Sequence, residues 1–275
     1  MTLADLGRDM STIETLNEFT TKTVAGLNIT KPESRRDQVN ILVYGESGAG
    51  KTILAGSADE VPEMRPVLLI DAEGGTLSLD KHYPNVDVVR ITSFQELQDL
   101  YDELHSGRTK YRTVILDSLS ELQKLGMDHI MHVTSAGLMN LMPDGIPGLK
   151  EWGINTEQIR RLVRAFRDLD MHTIITALIK EDKNQRTGVV TMRPKLSGQL
   201  AAEIPGFLDI VAYMYVKNVQ VGDEIEAKRL LLTSSTDMQV AKDRTGRLPL
   251  IVEDPTMASI YGVLTQNPVT SITRI

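Results

Sequence analysis

Cysteine is absent from the 275 residues, which excludes disulfides and thiolate-held metal ions. The opening stretch Met1–Arg8 lacks an apolar core of signal-peptide length. No apolar run approaches membrane-spanning length; Ile210–Val216 is among the longest and reads as a buried strand. Internal repeats and low-complexity segments are missing as well. These absences predict a soluble cytoplasmic protein with no membrane partner. Positive charge is also in short supply. Thirty Lys and Arg against 37 Asp and Glu leave a formal charge of −7, which argues against nucleic acid spread over the whole surface. Any such site must be a local concentration of basic residues. What is present is ordinary: 41% hydrophobic and 24% charged residues, enough for one large α/β domain or one domain with a short appendage.

The stretch Gly45-Glu46-Ser47-Gly48-Ala49-Gly50-Lys51-Thr52 fits the phosphate-binding pattern G-x-x-x-x-G-K-[ST]. An apolar run, Val39–Tyr44, precedes it with strand length, and Lys51–Ala55 begins a helix. A strand, a glycine-rich turn and a helix let backbone N–H groups converge on phosphates while Lys51 adds a point charge. ATP with Mg²⁺ is the expected ligand. Thr52 supplies the hydroxyl that faces the metal. Asp117 tips the apolar strand Thr113–Asp117, where a carboxylate would hold the metal through its water shell; Asp117 or Ser118 could also cap the helix from Leu119. Hydrolysis further needs a base. Glu73 follows the strand Val67–Asp71, and Gly74 and Gly75 expose its tip. If that strand lies beside the phosphate-loop strand, Glu73 faces the γ-phosphate and can activate water. Asp71 is the rival in the same turn.

The core is expected over residues 39–275, with 1–38 as an N-terminal arm and linker. Ser11–Val24 could form a short helix and Lys31–Asp37 a charged linker; the arm either hangs loosely or docks on a neighbouring subunit. Val86–Ile91 reads as a strand, and Ser93 with Glu96 makes a capping box for a helix burying Phe94, Leu97, Leu100, Tyr101 and Leu104. Residues 134–153 read as irregular. Asn155 is expected to cap a helix with Ile159, Leu162, Val163, Phe166 and Leu169 on one face and Arg160, Arg161, Arg164 and Arg167 on the other. That basic stripe is a solvated face or a contact for DNA or a partner. His172–Ile179 is another core strand. Continuous apolar strands between helices predict a parallel sheet covered on both faces. Three later runs, Ile210–Val216, Ala227–Thr233 and Met238–Lys242, lack helix-length spacers and predict an antiparallel C-terminal extension.

At this point the chain resembles a family. Leu69–Glu73 looks like the segment bearing the catalytic glutamate of RecA-type recombinases, and Lys242–Pro249 resembles the Lys/Arg-x-Arg-Thr-Gly-x-Leu-Pro signature of RecA and RadA-like cores. Pro194–Gly198 and Ala202–Asp209 look like loops of phage-encoded, core-only RecA-like ATPases grouped with single-strand annealing proteins. The resemblance spans roughly residues 28–265. It implies a RecA-like P-loop core, an ATPase stimulated by DNA, and a homo-oligomer on single-stranded DNA inside a bacterial host. Annealing or homologous recombination would be its task, with a single-strand-binding protein as a further partner. It also implies that loops around Lys180–Lys195 face DNA. There Lys180, Lys183, Arg186, Arg193 and Lys195 stand against Glu181 and Asp182. With few aromatics in that segment, phosphate contacts should dominate, and a solvated hairpin is the alternative. Lys242 and Arg244, two apart on a late strand, share a face and lack a partner within their own segment. The resemblance implies that they reach a neighbouring subunit's γ-phosphate as catalytic cations; a surface ion-pair strip is the alternative. Two features depart from the family. Ala177 and Leu178 replace the polar residue that couples phosphate to the DNA loops, and Phe19–Lys22 does not match Phe-x-x-Ala. A helicase or packaging motor, and a slow nucleotide-dependent scaffold for protein partners, are the competing functions.

Overall fold

The computed structural model describes residues 22–25, 27–29, 38–134, 146–183, 188–221 and 224–265. They fall into two units, Met1–Asp37 and Gln38–Ile275. The described part of the first is a small antiparallel pair, β1 (Lys22–Val24) and β2 (Leu27–Ile29). The helix expected over Ser11–Val24 therefore does not include its last three residues; the rest of it, and Phe19, lie outside the described residues.

The second unit runs β3 (Asn40–Gly45), α1 (Lys51–Gly56), β4 (Val67–Asp71), α2 (Leu77–His82), β5 (Asp87–Arg90), α3 (Phe94–His105), β6 (Thr113–Asp117) and α4 (Leu119–Thr134). It continues through α5 (Leu149–Arg167), β7 (His172–Lys183), β8 (Val190–Pro194), α6 (Leu200–Phe207), β9 (Ile210–Val221), β10 (Glu224–Leu232), β11 (Lys242–Asp243), β12 (Ile251–Glu253) and α7 (Met257–Thr265). The sheet order is β12-β10-β9-β3-β7-β6-β4-β5, with β11 on β9 and β8 on β7. From β9 to β5 all neighbours are parallel, whereas β10, β11, β12 and β8 pair antiparallel. This is the α/β P-loop NTPase fold with an antiparallel C-terminal extension.

The alternation of side chains along β3 explains why both faces are covered. Leu42 and Tyr44 point into a core shared with Phe166 of α5, Leu119 and Leu122 of α4 and Ile204 of α6. Ile41 and Val43 point the other way, onto Leu54 and Ala55 of α1 and Met257 and Ile260 of α7. The capping box forms as its sequence predicts: Glu96 N donates to Ser93 Oγ (3.2 Å) and Ser93 N to Glu96 Oε2 (3.1 Å).

Three expectations are corrected. Helix α5 begins at Leu149, so residues 149–153 are helical and Asn155 lies inside the helix. Asn155 is fully buried; it donates to Gln123 O (3.0 Å) and accepts from Gln123 Nε2 (3.1 Å). Of Met238–Lys242, only Lys242 enters a ladder strand, and Gln239 makes an isolated bridge to Met192. Finally, the condition set for Glu73, that β4 lie beside β3, is not met, because β7 and β6 intervene. Among the described residues, no helix is long and apolar enough to cross a membrane.

Candidate active site

The phosphate loop turns between β3 and α1, and two of its glycines are required, one by close approach and one by backbone conformation. A Cβ on Gly45 would lie 2.1 Å from Met214 O of neighbouring β9, and Gly50 has a φ of +102°. Glu46, Ser47, Gly48 and Ala49 form the turn between them, closed by Ala49 N donating to Glu46 O (3.2 Å). Lys51 is only 8% exposed, and its Nζ donates to Gly45 O (3.1 Å) and Glu46 O (2.8 Å). Burial lowers its pKa, while the negative charges of Glu73, Asp117 and Glu46 act in the opposite direction. The lysine is therefore held across the loop beside three carboxylates.

Thr52 Oγ1 donates to Asp117 Oδ2 at 2.7 Å. The residues at the head of α1 and at the tip of β6 thus meet although 65 positions separate them. Asp117 is 2% exposed, and its other oxygen accepts from Thr176 Oγ1 on the intervening strand β7. A hydroxyl and a carboxylate are hard oxygen donors that suit Mg²⁺. Among the described residues no group of three or more His, Cys, Asp and Glu could hold a metal. Phosphate and water oxygens would have to complete the shell, as Mg²⁺ bound with a nucleotide requires.

Glu73 reaches this centre despite the strands between β4 and β3. The register aligns Asp71 with Asp117, and the segment past β4 brings the Glu73 carboxylate to Ser118, whose Oγ donates to it at 2.8 Å. Asp71 is spent on shaping that turn: its Oδ1 accepts from Glu73 N (3.0 Å) and Gly74 N (2.6 Å), and it is buried. Of the two candidate bases, Glu73 has the exposed carboxylate beside Lys51 and Asp117.

The remaining candidates lie elsewhere. Lys180 and Lys183 are on β7, and Arg193 on β8 pairs opposite Lys180. Lys195 follows β8; Arg186 lies outside the described residues. Lys180, Lys183 and Lys195 are exposed, whereas Arg193 is half-buried. Lys242 and Arg244 do not approach the phosphate loop of their own chain. β11 pairs with the start of β9, Lys242 opposite Val211, at the end of the sheet away from Gly45, which pairs with Met214. Nor are they without partners: Lys242 Nζ donates to Pro205 O (2.5 Å), and Arg244 donates to Gly206 O (2.6 Å) and Asp209 Oδ1 (3.3 Å). Burial, then the charge of Arg244, lowers the pKa of Lys242. The arginine stripe of α5 resolves as an ion-paired surface, since Arg160 meets Glu157 (2.5 Å) and Glu203 (2.8 Å) and Arg161 meets Glu157 (2.8 Å).

Sequence reasoning missed Thr176 and Ser120, and read Ser118 only as a helix cap. Ser120 Oγ accepts from Leu178 N (3.1 Å) and donates to Lys195 O (3.0 Å). It ties the start of α4, three residues after Asp117, to β7 and to Lys195, the residue that follows β8. The signal was the run Asp117-Ser118-Leu119-Ser120 itself, whose second hydroxyl has no use in a cap at Asp117 or Ser118.

A family profile described as an AAA domain matches residues 37–245. Among curated proteins none matches the sequence. Similar solved structures include the RadB recombinase, with 14% identity, 70% of this chain and 79% of that one covered, and a TM-score of 0.39. A prototypical ATPase from the type III secretion system of pathogenic bacteria has 14% identity over 64% of this chain and 51% of its own, with a TM-score of 0.37. The conjugation coupling protein TcpA of pCW3 has 15% identity over 68% of this chain and 51% of its own, with a TM-score of 0.34.

Proposed function

From the premise that the chain belongs to the AAA-domain family and is a P-loop ATPase, we propose that it assembles on single-stranded DNA and hydrolyses ATP there in annealing or homologous recombination. In the chemical step Glu73 takes a proton from a water molecule whose oxygen attacks the γ-phosphorus; the bond to the bridging oxygen breaks and ADP leaves. Ser118 orients Glu73 through its 2.8 Å hydrogen bond, and Lys51 neutralises phosphate charge. Mg²⁺, held through Thr52 and Asp117, would supply further charge neutralisation on the phosphate oxygens.

One observation carries the DNA reading. A cavity of about 550 Å³ adjoins Ser120, and Trp152 of α5 shares its lining with Leu178, Lys180 and Lys195. The basic segment itself has no aromatic for stacking; the fold supplies one from a helix earlier in the chain. Trp152 is 38% exposed, and an indole beside lysines is the combination that takes a base on its face and phosphates on its flanks. Glu121 and Asp128 also line the cavity, but Glu121 is paired with Lys124 at 2.5 Å. Because Ser120 grips Leu178 and Lys195, a strand bound here and a nucleotide at Asp117 act on the same short piece of backbone.

Trp152 is the chain's single tryptophan, so its fluorescence reports on this site alone. Titration of the full chain with oligothymidylate should quench it. Replacing Lys180 and Lys195 with Ala should flatten the log–log salt dependence by about 0.7 for each lost phosphate contact. Unchanged fluorescence and an unchanged slope would refute the DNA reading. A second reading, a scaffold for protein partners, is favoured by a cavity of about 800 Å³ between α3 and α5, lined by Phe94, Tyr101, Ile154 and Leu162. Nucleotide-dependent capture of a protein, with no effect of DNA on ATP turnover, would select it.

A further inference from the structure

We infer that Arg229 is a second cation of the phosphate site, acting within its own chain on the phosphates nearest the nucleoside. Strand β10 sets Arg229 opposite Val216 and Leu231 opposite Met214. Met214 in turn pairs with Gly45, the first glycine of the loop. This register lays the arginine stem along the loop: a Cβ on Gly50 would meet Arg229 Nε at 2.9 Å, Arg229 Cδ at 3.1 Å and Met214 Cε at 3.2 Å. The backbone of Arg229 is held from one side by Asp254. Arg229 N donates to Asp254 Oδ1 (3.3 Å), and Asp254 N donates to Arg229 O (2.8 Å). Arg229 is exposed, and among the described residues no carboxylate forms an ion pair with it. An arginine packed on a phosphate-binding glycine without an acidic partner is free to donate to phosphate oxygens, for which its planar fork is shaped.

The sheet order decides which phosphates. Glu73 and Asp117 reach the loop from the β4–β6 side of β3, whereas Arg229 arrives from the β10–β9 side. The attacking water belongs with Glu73, so the γ-phosphate lies toward that side and Arg229 serves the opposite end of the chain of phosphates. Its contact is therefore made to ADP as well as to ATP. This separates it from Lys242 and Arg244, which are bonded to the end of α6.

The inference rests on nucleotide binding at the loop, and the test separates the two. Calorimetric titration of the full chain with Mg–ADP and with inorganic tripolyphosphate would be run on wild type, Arg229→Gln, Arg229→Lys and Lys51→Ala. Arg229→Gln should weaken both ligands about tenfold or more, the size of one charged hydrogen bond. Arg229→Lys should recover part of the loss. The melting temperature of nucleotide-free Arg229→Gln should match wild type, which a merely structural arginine would not allow. Unchanged ADP affinity in Arg229→Gln, with binding lost in Lys51→Ala, would overturn this inference and leave the loop assignment standing. Weakened ADP with unchanged tripolyphosphate would also overturn it, because the contact would then be to base or ribose. Retained ADP binding in Lys51→Ala would overturn the loop assignment itself.

Discussion

Lys51 shows how one residue's surroundings set its chemistry. Buried across the loop, it has a pKa below that of an ordinary lysine. The unfolded chain keeps its proton to higher pH, so between the two values unfolding takes up a proton and the nucleotide-free protein gains stability as pH rises. Phosphate binding favours the charged form and has the opposite sign: ADP affinity should fall as pH rises through the folded-state pKa. Lys51→Arg, which stays charged, should bind more weakly at neutral pH yet lack that alkaline decline; an ADP titration series across pH checks both. The carboxylate opposite has a separable role. Glu73→Gln keeps shape and hydrogen bonding but cannot take a proton, so ATP should still bind while turnover falls by at least about 100-fold. Single-turnover assays would reveal a base elsewhere if the rate survived.

At the scale of elements, the site is built by strands whose order the sequence does not state. Gly45 to Thr52, Asp117 and Glu73 were each legible from local pattern: a motif, a carboxylate at a strand tip, a glutamate before two glycines. Their meeting was not legible, since Glu73 was placed at the phosphates only on the condition that its strand lie beside β3, and it instead arrives from three strands away. Thr176 and Ser120 stayed hidden because a lone hydroxyl in or after a strand has no periodic signature. Asn155 misled for the opposite reason, as a residue type favoured at caps that serves inside a helix as a buried bridge to Gln123. Its partner's Oε1 accepts from Ser197 N (2.9 Å), so the amide pair joins α4, α5 and the segment after β8. Asn155→Leu would preserve the volume and leave the Gln123 Nε2 donor without its acceptor, costing about 1–3 kcal/mol. Arg161→Ala on the exposed face of the same helix should cost under about 1 kcal/mol. Denaturant melts of the two variants would expose a mistaken network if the losses were equal.

For the whole molecule, the separation of Lys242 and Arg244 from their own phosphate loop turns the catalytic reading of this pair into a question about assembly. Mixing Lys242→Ala/Arg244→Ala chains with Glu73→Gln chains, each inactive alone, should restore part of the ATPase rate if one chain's cations serve its neighbour. Co-assembled mixtures that stay inactive would leave the pair as a clamp on α6.

Arg244 N bonds Asp209 O, and Asp209 N bonds Asn40 O, so this cation stands level with the first residue of β3. The phosphate loop begins at the last, five residues and about 16 Å further on. Two copies related by a two-fold axis present like surfaces to each other and could join such unlike ends only by repeating the contact twice across one face. If one chain's pair does serve its neighbour, a head-to-tail relation would join them once per copy and leave a loop unmet by a neighbour at one end and a cation pair unmet by a loop at the other. Growth by such a contact would stop only when a ring closed. In an open array the terminal loop would meet no cations, and every added copy would bring one more nucleotide within reach of a neighbour.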